Sequence, residues 1–161
     1  METKPEFVVK VESESLKRSP KGTIAGIICC QRGEHSFPQR QWYDLPMAVL
    51  SWWLQTTVSL VDGTERTVEV RFMDGPYYVR VFARNRERWQ AELVEDRAPR
   101  PTVQQFEFDP DPYIRSLIAC SDALLKRCSR EGWTSRDIDS IILHRQRLIH
   151  YAADKRDLRL P

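Results

Sequence analysis

The sequence has no short motif of a known catalytic or metal site. It contains no CxxC, HExxH or HxH spacing that would hold a zinc ion. The nucleophile motif GxSxG is missing, and neither glycine-rich phosphate loop, GxGxxG or GxxxxGKS, is present. We therefore predict no metal, no cofactor and no catalytic residue set.

Long apolar runs and a strong charge of one sign are also missing. No stretch approaches the roughly 20 apolar residues that span a bilayer, so we predict no membrane segment. The start, METKPEFVVKVESES, is charged and alternating, which predicts no signal peptide. With 25 basic and 23 acidic residues the net charge is +2, which makes nucleic acid an unlikely partner. We expect a cytoplasmic protein.

Cysteine is scarce, and its placement does not favour disulfides. The four cysteines are Cys29, Cys30, Cys120 and Cys128. Two adjacent cysteines make a poor disulfide framework, and the other two lie within one helical pattern. We expect four free thiols, inert because they are buried in apolar surroundings.

The stretch from Phe37 to Leu60 is the strongest folding signal in the chain. Its apolar residues recur at helical spacing and predict a helix over Leu45–Leu60. Asp44 is placed to cap this helix, with Pro46 in the opening turn. The predicted core stripe comprises Val49, Leu50, Trp53, Leu54, Thr57, Val58 and Val61.

Alternating and apolar runs elsewhere predict strands. QRGEHSFPQRQ, which follows the second of them, is interpreted as a loop, and Gly26 indicates a bulge or a close backbone approach. The strands are predicted over Glu6–Ser13, Thr23–Cys30, Arg66–Met73, Tyr77–Ala83, Trp89–Val94 and Val103–Phe108.

Two more helices are predicted after the last strand. Asp111, followed by Pro112, is the expected cap of the first, and Gly132 is placed to end it in a left-handed conformation. Thr134 opens the second. Its predicted core stripe comprises Ile138, Ile141, Ile142, Leu148 and Ile149.

The element order predicts one α+β domain over residues 1–161. We expect a mostly antiparallel sheet of about five to six strands with three helices packed on it.

Two kinds of residue keep other functions open. A small hydrolase or nuclease-like enzyme would have to use Asp109 and Asp111, or a histidine. A nucleic-acid adaptor would use the hairpin Arg80–Trp89, in which four arginines alternate with Phe82 and Trp89.

Aromatic and arginine side chains near turns favour protein binding instead. Trp, Tyr and Arg dominate protein–protein interfaces because they bury large areas and keep a polar group. The predicted partner-binding residues are Trp42, Tyr43, Tyr78, Arg80, Arg84 and Arg86.

Two segments carry a family resemblance. FPQRQWYDLPMAVLSWWL and the later RFMDGPYYVRV, followed by two closing helices, resemble the small immunity proteins of bacterial polymorphic-toxin and contact-dependent competition systems. The resemblance rests on the Trp42–Asp44–Pro46 helix entry, on Trp52–Trp53 and on the turn over Phe72–Pro76. It implies a non-catalytic protein that neutralises one cognate toxin by direct binding. No catalytic residue carries over from it.

Overall fold

The computed structural model describes residues 3–157. In these residues it has three α-helices and two four-stranded antiparallel sheets, which confirms the predicted α+β class. The strands were expected in one sheet of about five to six, but they divide into two sheets because the first helix separates them in the chain and packs against both. No helix in the described part of the chain is long and apolar enough to cross a bilayer.

The first sheet is formed by the N-terminal strands β1 (Phe7–Arg18), β2 (Ile24–Arg32), β3 (His35–Phe37) and β4 (Tyr43–Asp44). β2 lies in the middle and pairs with the other three. The prediction of a loop after β2 was wrong, because β2 turns at Gly33 into a short hairpin with β3.

Gly26 lies opposite an irregularity in β1, as the sequence predicted. The pairing register between β1 and β2 shifts between Glu12 and Lys17. A Cβ atom added to Gly26 would lie 2.8 Å from Cδ2 and 3.2 Å from the Cα atom of Leu16. A side chain would therefore collide with the bulged part of β1.

The second sheet is the predicted antiparallel meander. Its strands pair in chain order as β5 (Thr67–Arg71), β6 (Tyr77–Ala83), β7 (Trp89–Glu95) and β8 (Thr102–Phe108). The apolar side chains that alternate along these strands face the core, for example Val70, Val79 and Leu93.

The three helices lie where periodicity predicted them, but their first residues differ. They are α1 (Pro46–Val61), α2 (Pro110–Glu131) and α3 (Arg136–Asp157). Asp109 caps α2 by accepting from the backbone N–H of Asp111 (2.9 Å), so the predicted cap at Asp111 was wrong. Ser135 caps α3 in place of Thr134, since its hydroxyl accepts from the N–H of Ile138 (3.4 Å). Gly132 ends α2 with φ 71°, as predicted.

One hydrophobic core joins both sheets and all three helices. Trp53 is fully buried and packs edge-on against Phe72, with ring centroids 5.8 Å apart. The stripe predicted for α3 was wrong at Ile142, which is 51% exposed, because α3 turns only Ile141 and Leu148 fully inward.

Helix α2 lies along the outer edge of β1. The N–H of Val9 donates to Ser116 Oγ (2.9 Å), and Cys120 Sγ donates to the carbonyl of Val9 (3.3 Å). These bonds satisfy backbone groups that an edge strand would leave open to another chain.

A buried carboxylate connects the two sheets. Asp44 is only 4% exposed, and it was predicted to cap α1, but Leu45 occupies that position. Oδ1 of Asp44 accepts from the N–H groups of Leu45 (2.7 Å) and Met73 (3.2 Å). Oδ2 accepts from Trp42 Nε1 (2.9 Å) and from the N–H of Asp74 (3.2 Å). The carboxylate thus binds β4 and the entry of α1 to the turn that follows β5.

Gly75 allows the turn after β5 to lie close to Asp44 and its hydrogen-bond partners, which we call the Asp44 cluster. It has φ 70°, and a Cβ atom there would lie 2.7 Å from the ring of Tyr77. The ring of Trp42 packs edge-on against Tyr77, with centroids 5.2 Å apart. A larger residue at position 75 would push these rings apart.

Replacing Asp44 should weaken the whole fold. In Asp44→Asn an amide would point its own N–H groups at backbone donors, so we expect a loss of about 2 kcal/mol or more in the free energy of unfolding. Asp62→Asn is the control, because Asp62 is exposed and its carboxylate accepts from the neighbouring Thr64. Urea unfolding followed by tryptophan fluorescence measures both. Equal stability of the two variants would contradict the bridging role.

Candidate interaction surface

The second sheet has one face that no helix covers in the described part of the chain. Alternation along the paired strands turns one set of side chains toward α1 and the core, and the other set outward. We call the outward set the open face. It comprises Thr67, Glu69, Arg71, Tyr78, Arg80, Phe82, Gln90, Glu92, Val94, Val103, Gln105 and Glu107.

Tyr78 lies between two arginines on the open face. The guanidinium carbon of Arg71 is 4.5 Å from the centre of the Tyr78 ring, and that of Arg80 is 5.5 Å away. Such cation–π contacts hold a guanidinium plane in place. Tyr78 is therefore only 8% exposed although it points outward.

Arg80 is also the middle of a charged row across three strands. Its guanidinium contacts Glu92 on β7 (3.0 Å) and Glu69 on β5 (3.4 Å). Partial burial acts to lower the pKa of Arg80, but the nearby Tyr78, Glu92 and Glu69 outweigh it and raise the pKa. Arg80 therefore stays charged and is held by one carboxylate on each neighbouring strand.

Trp52 extends the open face around the edge of β5. Its side chain is 42% exposed and, with Gln55 and Thr56, lines a depression of about 330 Å³ against Glu69 and Arg71. Trp52 is not among the partner-binding residues predicted from the sequence. The signal was available, because adjacent helical residues point about 100° apart and Trp52 and Trp53 cannot both face the core.

The structure separates the predicted partner-binding residues into three places. Tyr78 and Arg80 lie on the open face of β6, and Arg84, just after β6, donates to Gln90 of that face. Trp42 is half-buried in the Asp44 cluster, and its neighbour Tyr43 is 53% exposed. Arg86 lies in the turn between β6 and β7, where it lines the same cleft as Arg84.

The aspartates named for an enzyme are engaged in the fold. Asp109 caps α2, and Asp111 Oδ1 accepts from Lys155 Nζ (2.6 Å). Both line a depression of about 410 Å³. Because both carboxylates are engaged in this way, they give little support to the enzyme alternative.

The histidines give the enzyme alternative no further support. His144 Nδ1 lies 2.8 Å from the carbonyl and 3.3 Å from the hydroxyl of Ser140, one turn earlier on the same helix, so its ring is engaged within α3. His35 and His150 are exposed. Within residues 3–157 no three His, Cys, Asp or Glu side chains are placed to hold a metal ion.

The hairpin named for nucleic-acid binding has its main aromatic ring buried. Trp89 is 2% exposed, and its indole N–H donates to the carbonyl of Asn85 (3.0 Å). Arg80 is paired as described above, and Arg88 lies 3.6 Å from Glu107. The ring of Trp89 is therefore not available for stacking on bases.

The four cysteines should be unreactive in the folded protein. All are buried, and burial raises the pKa of each thiol, that of Cys120 to about 12. We expect negligible reaction with Ellman's reagent near pH 8 and full reaction after unfolding in urea. Because unfolded thiols ionise near pH 9 and these do not, stability should also fall as the pH rises above that value. Fast labelling of one native cysteine would contradict this and favour a nucleophilic site.

No protein-family model, curated protein or solved structure matches this chain. A function has to be inferred from the surface of the molecule itself. Its most distinctive part is the open face with Trp52 at its edge.

Proposed function

We propose that this chain is a non-catalytic binding protein whose open face, together with Trp52, contacts a partner protein. The observation that carries the proposal is that Trp52, Arg71 and Arg80 lie next to one another on this face, with the ring of Tyr78 packed beneath the two guanidinium groups. Tryptophan, tyrosine and arginine are the residues that most often dominate binding energy in interfaces.

The surface is ordered before a partner arrives. Cation–π contacts and ion pairs already fix the side chains of Arg71 and Arg80, and both are anchored on paired strands. Fixing such long side chains on binding costs free energy, so a surface that is already fixed binds more tightly. Glu69 and Glu92 beside Arg80 add a charge pattern that a correct partner must complement.

We propose a bacterial protein toxin as the partner, with this chain acting as the immunity protein that neutralises it in the cytoplasm. Two observations support this choice. The Trp42–Asp44–Pro46 entry and the turn over Phe72–Pro76 carry the resemblance to such proteins, and they are the segments that meet in the Asp44 cluster. The candidate catalytic groups, by contrast, are engaged in the fold.

Trp52→Ala should break the complex and leave the fold intact. Truncating an aromatic residue that dominates an interface costs about 2 kcal/mol or more, which corresponds to a loss of affinity of about 30-fold. The measurement is co-purification with, and growth rescue from, a toxin encoded by a neighbouring gene. Ile142→Ala is the control, since Ile142 is similarly exposed but lies on α3.

Two results would contradict the proposal at different levels. Rescue by the wild-type chain that survives Trp52→Ala and Arg71→Ala would exclude the open face as the contact. Failure of the wild-type chain to bind or rescue against any neighbouring toxin would exclude the immunity function.

A further inference from the structure

A groove runs across one end of the second sheet, around the last turns of α3. Its larger part is a cleft of about 580 Å³ between the end of α1, the start of β5, the β6–β7 turn and α3. Its smaller part is the depression of about 410 Å³ at the start of α2. Tyr151 and Lys155 line both parts, so the two parts adjoin, and we call them together the end groove.

Lys155 fixes the walls of the end groove. Its ammonium group donates to the carbonyl of Arg86 (2.9 Å) and to Asp111 Oδ1 (2.6 Å). One side chain thus ties the β6–β7 turn and the start of α2 to α3. Because the Lys155 ammonium group pairs with the Asp111 carboxylate, we assign the recognition of a ligand to other positive charges.

Five arginines around the end groove form no ion pair in the described part of the chain. The acidic residues that also line it, besides the paired Asp111, are Glu65, Asp109 and Asp154. Six basic against four acidic lining residues leave an excess of two positive charges, as large as that of the whole chain. The arginines are Arg66, Arg84, Arg86, Arg115 and Arg156.

The floor of the larger cleft is apolar. Val61, Ala83 and Tyr151 are half-buried there, beside the buried Leu60 and Trp89. An apolar side chain of modest size could cover the exposed parts of these residues. A ligand that fits would combine such a side chain with carboxylates on either side of it.

We infer that the end groove receives an acidic segment of the partner protein, with an apolar residue between its carboxylates. This inference rests on the proposed function, because Arg84 lines the groove and also donates to Gln90 of the open face. A partner bound to the open face would therefore also contact the end groove. Nucleic acid fits less well, since Glu65 and Asp154 at the rim would repel a continuous row of phosphates.

The test uses a labelled short peptide of glutamates around one leucine, titrated with the full chain by fluorescence anisotropy. Its glutamine counterpart and a single-stranded DNA oligonucleotide are titrated in parallel. We expect the acidic peptide to bind and the double variant Arg66→Glu, Arg86→Glu to weaken it about tenfold or more. Arg18→Glu, an exposed arginine on β1, is the matched control and should bind as the wild type does.

The outcomes separate this inference from the proposed function. Equal binding of the acidic and glutamine peptides, or no effect of the double variant, would overturn the inference that the ligand is acidic. Tighter binding of the oligonucleotide, falling steeply between about 50 and about 200 mM salt, would overturn it in favour of nucleic acid. Trp52→Ala should leave peptide binding unchanged. Loss of toxin binding in that variant therefore tests the open face and not the end groove.

Discussion

The bridging of two sheets by one buried carboxylate constrains the rest of this structure. Asp44 accepts hydrogen bonds from β4, from the entry of α1 and from the turn after β5. These bonds set where α1 begins relative to the second sheet, and so place Trp53 against Phe72 in the core. A charged acceptor in a buried place needs several donors, and the turn over Met73 and Asp74 supplies two of them.

The same constraint positions the proposed contact surface. Arg71 is two residues before Met73, and Trp52 lies on the exposed side of the helix whose start Asp44 holds. The relative placement of Trp52 and Arg71 therefore depends on the Asp44 carboxylate, although its hydrogen-bond donors are other residues. At the opposite end of the sheet, Lys155 holds three elements around the end groove in a comparable way.

Local pattern in the sequence was sufficient to predict most of the fold. Alternation defined the strands from β5 to β8, and helical spacing defined α1, because burial on one face is a local requirement. The errors occurred where tertiary partners decided the outcome. Asp44 is a good capping residue by type, yet its carboxylate is drawn to Met73, Asp74 and Trp42. Ile142 fits the stripe by spacing, but the side of α3 that is buried carries Ile141 and Leu148 and leaves Ile142 exposed.

The surface was less predictable than the fold. Residue type alone indicated Tyr78 and Arg80, which share one side of β6, but it also indicated Trp42, whose indole N–H donates to Asp44. Whether an aromatic ring faces solvent depends on partners far away in the chain. The two halves of the end groove also come from distant segments, so no sequence window contains it.

The two adjacent tryptophans of α1 have different roles. Trp53 is held in the core, whereas Trp52, one position earlier, is exposed beside the rim of the second sheet. Substitution at the outward position leaves the packing around its buried neighbour intact. Under the proposed function, divergent copies of this scaffold would exchange one partner for another through the outward residues of α1 and β5, without first acquiring compensating changes in the core.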